Sequence, residues 1–227
     1  MTQLSYQYAY IIACLILLIF WLFIFLKRKD LRKEMIWASL AGLPFGFIDW
    51  FLVPVYWHPE SLFDLIKKYG VGIESFVFFF AMAGIAAVAY EFTEKRKIKR
   101  IGRSKKLHLL PFFLALVSFL ILTIASPEKA VYNLMASGAI GTFLIIFFRR
   151  DLLEQILGSA FIFSFFYFVA LFLVGRIFNG VIESFYNLSS IWGIFIAGVP
   201  LEEILVAFFA GAFWSCAYEY AKSYQER

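Results

Sequence analysis

Two adjacent carboxylates, Glu202 and Glu203, stand at the head of a long apolar run, Val199-Pro-Leu-Glu-Glu-Ile-Leu-Val-Ala-Phe-Phe209. Asp49 and Glu74 are also embedded in apolar stretches, whereas Glu91 and Glu219 fall at the ends of theirs. An ionisable group at depth in hydrocarbon is costly, so it faces a protein interior and has a task there. Several carboxylates around a dry cavity cannot all ionise near neutral pH, and one of them keeps its proton. A neutral carboxylic acid in an apolar pocket is a proton donor, and an ionised neighbour is a base. Asp49, Glu74, Glu202 and Glu203 are therefore the candidate catalytic residues. Aromatic faces stabilise cations, and rings lie close to the acids in sequence. Trp50, Phe76, Phe79, Phe208 and Trp214 are the candidate substrate-binding residues. A plainer role competes, because the free N–H groups of a helix start can hold a carboxylate as a cap. Only one of two neighbours caps well, since successive helical side chains point about 100° apart.

These side chains need helices in a bilayer to position them. Of 227 residues, 63% are hydrophobic and 21% aromatic, more than a soluble domain can keep from water. Apolar runs of about 20 residues, enough for roughly 30 Å of hydrocarbon, occur at 6–26, 35–56, 72–93, 107–125, 130–148, 152–178 and 191–221. The last is too long for one straight crossing. A proline costs nothing at a first helical turn, so the final helix is expected to start near Pro200, with 190–199 as an interfacial or re-entrant lead-in. The expected fold is an all-α polytopic membrane protein with about seven transmembrane helices. The first run is too long, and lacks the cleavage site, for a signal peptide.

The net charge of +5 is unevenly placed. Basic residues crowd Lys27–Lys33 and Lys95–Lys106, Arg149 and Arg150 follow the fifth run, and Lys222 and Arg227 follow the seventh. Of the 21 Lys and Arg, only Lys67, Lys68, Lys129 and Arg176 fall on the opposite side. The positive-inside rule then puts the N-terminus outside the cell membrane and the C-terminus in the cytoplasm. The run at 95–106 is a loop between spans and suits lipid headgroups better than nucleic acid. His58 and His108 are isolated, and Cys14 and Cys216 lie in apolar runs, so neither a metal site nor a disulfide is expected.

An internal repeat runs through the helices. Arg28-Lys-Asp-Leu31 recurs as Arg149-Arg-Asp-Leu152, Gly72-Ile-Glu-Ser-Phe76 as Pro200-Leu-Glu-Glu-Ile204, and Ala89-Tyr-Glu-Phe92 as Ala217-Tyr-Glu-Tyr220. The second copy carries a short insertion before its last helix. Three-helix units at 1–97 and 127–227, joined by one helix within 98–126, enter the membrane from the same side and form parallel repeats. At 1.5 Å per residue, Asp49 and Glu74 lie about 7 Å and 6 Å below the outer surface, and Glu202 enters at a similar level. The repeat pairs Glu202 with Glu74, while Glu203 faces only Ser75, which ranks Glu202 first.

Asp49-Trp50, then Pro54, then Gly72-Ile-Glu74 leading into Phe76 and Phe78-Phe-Phe80, followed by Pro200-Leu-Glu-Glu203 before an apolar helix, resembles the lycopene cyclase domain family. That family includes heterodimeric bacterial carotenoid cyclases and the cyclase half of fungal fusion proteins. Its mark is Pro-x-Glu-Glu, or Glu-Asp, heading a helix in each of two three-helix units, here fused. The resemblance implies a hydrophobic polyene substrate taken from the bilayer and closed into a ring by a proton-initiated, redox-neutral reaction. It implies Glu202 or Glu203 as acid and base, with Glu74 and Asp49 at the matching positions. No dinucleotide-binding loop is visible, and no cofactor is expected. The chain departs from the pattern at Gly72 and Ser75, where Pro and a second acid are expected, and at Ala170, near the place of an Asp matching Asp49.

Other readings fit less of the sequence. An intramembrane Glu-Glu protease needs an Arg on the same helix and His on others, yet Pro200 to Ala221 holds neither. A prenyltransferase needs Asp-rich motifs for magnesium diphosphate. A non-enzymatic protein, such as a proton-coupled carrier or a structural subunit, also suits parallel repeats with acids at equal depth.

Overall fold

The computed structural model describes residues 6–53, 55–93, 98–100, 110–218 and 224–226. The first apolar run forms α1 (Ala9–Lys27) after a 3-10 turn at Tyr6–Tyr8. The second starts as α2 (Arg32–Gly42), tightens to a 3-10 segment over Leu43–Ile48 and resumes as α3 (Asp49–Leu52). Pro44 lies at this change. It has no N–H to donate and its ring crowds the carbonyl four residues back, so the α pattern cannot continue through it. Beyond the tightened turn, Asp49 is buried while its neighbour Trp50 is 55% exposed. The helix ends at Leu52 because Val53 is extended, at φ −92° and ψ 130°, as a residue before proline must be. Pro54 itself is outside the described residues.

A short α4 (Leu65–Tyr69) lies in the following loop, and then α5 (Ile73–Thr93) crosses the bundle. After β1 (Ile98–Arg100) come α6 (Leu110–Ala125), α7 (Ala130–Phe148), α8 (Leu153–Ile177) and α9 (Val181–Phe185). The chain ends with β2 (Phe195–Ile196), β3 (Val199–Pro200), α10 (Leu201–Ser215) and β4 (Tyr224–Glu226). Among the described residues, five segments are long and apolar enough to cross a membrane: Tyr6–Lys27, Arg32–Leu52, Ile73–Thr93, Pro127–Phe148 and Arg150–Ile177. The two other expected crossings are shorter. Helices α6 and α10 have 16 and 15 residues, about 24 and 22 Å at 1.5 Å per residue.

Two small ribbons add strand to the expected all-α fold. β1 pairs antiparallel with β4, and β2 with β3. The β2–β3 hairpin turns through Ala197 and Gly198, both at positive φ (50° and 86°), the backbone that a tight two-residue turn demands. The stretch before α10 is thus a hairpin that delivers the chain to Pro200, where the last helix begins as expected.

The recurring sequence elements fold alike. Arg28 and Arg149 each end a helix and pair with the Asp two residues on, Asp30 and Asp151, at 2.7 Å in both cases. Helices α1 and α2 pack on α5 as α7 and α8 pack on α10, and α5 also meets α8 and α10. Ala81 and every residue from Ala83 to Ala89 on α5 are buried, because small side chains let membrane helices approach closely. In unit one the close contact is Gly42 against Ala83; at the matching place in unit two it is Gly211 against Phe163. The glycine has changed sides and the contact has stayed. The loops after α3 and α9 meet through an antiparallel bridge between Trp57 and Tyr186. His58 N–H donates to the Phe185 carbonyl (2.7 Å) and Asn187 N–H to that of Tyr56 (2.9 Å), one bond on each side of the bridge. Most of the basic run at 95–106, together with Glu219 and Tyr220 of the second Ala-Tyr-Glu, lies outside the described residues.

Candidate active site

A cavity of about 190 Å³ is walled by α1, α3, α5, α6, α7, α8 and α10 and by the loops that carry Tyr56 and Tyr186. Its wall is nearly all hydrocarbon. Phe78 meets Phe79 edge-on at 5.3 Å and Tyr167 at 6.0 Å, and Phe45 meets Trp214 at 5.3 Å. Into this surface project two carboxylates, Asp49 from α3 and Glu203 from α10.

Glu203 sits in the first turn of α10. The Tyr56 hydroxyl donates to its Oε1 and the Tyr167 hydroxyl to its Oε2, both at 2.6 Å. Tyr56 arrives from the loop after α3, so the carboxylate at the head of α10 is held by a phenol from the first half of the chain. The Tyr186 ring packs edge-on against Tyr56 at 5.5 Å. Burial, and then the Glu203 charge, raise the Tyr56 phenol well above its ordinary range, so Tyr56 remains a neutral donor. Asp49 takes the Ser75 hydroxyl on Oδ2 at 2.5 Å, with the Tyr10 hydroxyl at 3.5 Å from the same oxygen. Both acids therefore stand in an apolar wall, tethered by hydroxyls.

The other two predicted acids are elsewhere. Glu202 points away from the cavity and accepts the Trp192 N–H (2.5 Å) and the Tyr132 hydroxyl (3.1 Å) on Oε1. Glu74 accepts the Leu62 N–H (2.6 Å) on Oε1. Both are fully buried, neither is on the cavity wall, and neither Oε2 has a hydrogen-bond partner among the described residues. These two repeat-related glutamates do the same thing: each fastens the loop that precedes its helix. Glu203 rather than Glu202 faces the cavity.

Among the predicted aromatic residues, Phe79 and Trp214 are on the wall, and Trp50, Phe76 and Phe208 are not. Helical geometry accounts for this. Trp50 is one step round the helix from Asp49, and its indole N–H donates outward to the Tyr69 carbonyl at 2.6 Å. Phe76 packs on Phe47, and Phe208 on Phe161. Phe208 is five residues past Glu203, about 140° round the helix, whereas Ala207 and Trp214 share its face. Sequence reasoning missed the tyrosines Tyr10, Tyr167 and Tyr186. Their signal was the hydroxyl, which in an apolar setting must find a partner.

The lycopene cyclase family matches residues 7–93 and residues 129–221. No curated protein and no solved structure matches the chain. The two matched segments hold both cavity acids and most of the chain, so the chain belongs to the lycopene cyclase family and is an integral-membrane carotenoid cyclase.

Proposed function

We propose that the cavity binds one end group of a linear polyene and closes it into a ring, with Asp49 and Glu203 as the acid–base pair. The placement of these two carboxylates, one from each unit, on a single apolar wall carries this reading. Glu203 accepts a phenol on each oxygen, the pattern of a proton acceptor, and takes the role of base and partner for the cation. Asp49 takes the role of acid. Its proton adds to the terminal double bond, the carbocation is attacked by a nearby double bond to form the new carbon–carbon bond, and Glu203 removes a proton. One proton is gained and one lost, so no oxidant or reductant is consumed and the reaction is that of an intramolecular lyase. Rings such as Phe79 and Trp214 stabilise the cation while excluding water.

The membrane arrangement that fits this reading has seven crossings, with α6 and α10 as the two short ones. Parallel units over 1–97 and 127–227 are joined through 98–126, and the cavity acids lie near the outer surface with the N-terminus outside. Matched salt bridges at Arg28 and Arg149 support the repeat. Expression in a lycopene-producing host grown in deuterated water tests the chemistry: cyclic product should carry deuterium in the gem-dimethyl region of the ring. Rings without deuterium there would refute protonation as the first step. Impermeant labelling of single cysteines in the Lys27–Lys33 loop and beside His58 tests the orientation, which predicts outside reaction only near His58.

A further inference from the structure

The cavity has room for an end group and not for a whole polyene: about 190 Å³ is below the roughly 300 Å³ at which pockets for small molecules begin. The rest of the chain must leave through the wall. Most of that wall is closed, because its residues from α3, α5, α8 and α10 are buried or half-buried. Helix α6 is the exception. It contributes Phe112, Ala115, Leu116 and Phe119 to the wall, a single stripe at helical spacing. Leu116 is 48% exposed, the one exposed residue among the described residues that line the cavity. Its outer neighbours Phe113 (60%) and Leu120 (36%) face away from the cavity. Leu116 therefore stands where cavity and outer surface meet. Helix α6 also falls in the segment 94–128 between the two matched regions, so neither three-helix unit supplies a counterpart. It packs chiefly on α7, with ring contacts from Phe119 to Phe51 at 5.6 Å and from Phe112 to Phe213 at 5.2 Å.

Resting on the cyclase reading above, we infer that the flank of α6 at Leu116 is the portal through which the polyene enters from the bilayer, and the subsite that holds its chain while the end group reacts. The occupant is the linear hydrocarbon body of the substrate, fixed by continuity with the cavity that holds its end. An apolar chain crossing from lipid into this portal leaves no polar group unpaired, and Leu116 sets the width of the opening.

Two readouts in reconstituted vesicles, with the full-length chain and a linear carotenoid as probe, decide the matter. Leu116→Trp should raise KM about fivefold or more with kcat nearly unchanged, the signature of lost binding rather than lost chemistry, while Leu120→Trp should match the parent. The two native cysteines are buried, so Leu116→Cys provides a single accessible thiol. Bound polyene should slow its alkylation by a membrane-permeable maleimide at least about threefold, by occupancy of the portal, and leave Leu120→Cys unprotected. Equal KM for Leu116→Trp and the parent, or no protection of Cys at 116 while rings still form, overturns the portal. Protection without ring formation supports the portal and overturns the cyclase reading instead, so the two can fail separately.

Discussion

Glu74 and Glu202 occupy equivalent places in the two units and behave alike, whereas the residues that follow them do not. After Glu74 comes Ser75, which donates its hydroxyl to Asp49; after Glu202 comes Glu203, which accepts hydroxyls from Tyr56 and Tyr167. The first matched segment carries its cavity acid on α3 and the hydroxyl bonded to it on α5. The second carries its acid on α10, and Ala170 stands where the partner of Asp49 would be. Glu74 and Glu202 each hold a loop, while the residues that follow them, Ser75 and Glu203, are tied to the two carboxylates of the cavity wall.

Breaking the composite site should have the largest effect. Glu203→Gln and Asp49→Asn keep shape and hydrogen-bonding reach but remove a titratable proton, and each should lower ring formation by about 10²–10⁴-fold with normal membrane accumulation. Product analysis by chromatography in a lycopene-producing host checks both. Next come the phenols: Tyr56→Phe and Tyr167→Phe each delete one hydrogen bond to the carboxylate, and kcat should fall about tenfold, the equivalent of about 1.4 kcal/mol. Loss from Tyr56→Phe alone would show that unit one completes the acid of unit two.

The loop fasteners should affect stability rather than chemistry. Glu74→Ala and Glu202→Ala strand the N–H groups of Leu62 and Trp192 and should lower stability by about 1–3 kcal/mol each, read as earlier thermal unfolding in detergent. Their Gln variants retain an acceptor oxygen and should lose less. Turnover in all four, per folded molecule, should stay within about threefold of the parent. The smallest effect belongs to Asp30→Asn. Asp30 is 61% exposed beside Arg28, and its hydrogen bond from Arg28 holds its carboxyl below the usual range. Screening by solvent limits the loss to under about 1 kcal/mol, present above the ordinary carboxylate range and fading as pH falls through the lowered one.

Much of this molecule was legible in the sequence because one-dimensional signals suffice for it. Apolar runs located the five segments long enough to cross a membrane and the shorter α6 and α10, and Pro200 located the start of α10. The inward-facing member of the Glu202–Glu203 pair was not legible. Two adjacent residues differ by about 100° of helical rotation, and the phase of α10 is set by its packing on α8 and α5, which periodicity in an all-round apolar helix does not reveal. Shared sequence position marked a shared contact, since Glu74 and Glu202 each accept a backbone N–H from the loop before their helix. The reach of Tyr56 to Glu203 goes with the bridge from Trp57 to Tyr186, a contact between distant segments. The β2–β3 hairpin was hidden because Phe195, Ile196 and Val199 read as part of a continuous apolar run.

The central claim is that Glu203 and not Glu202 moves protons. Glu202→Gln and Glu203→Gln, expressed side by side in a lycopene-producing host and normalised to folded protein, put it to the most direct test. Cyclic carotenoid should persist near parental levels with Glu202→Gln and vanish with Glu203→Gln; rings retained with Glu203→Gln, or lost only with Glu202→Gln, would contradict the account.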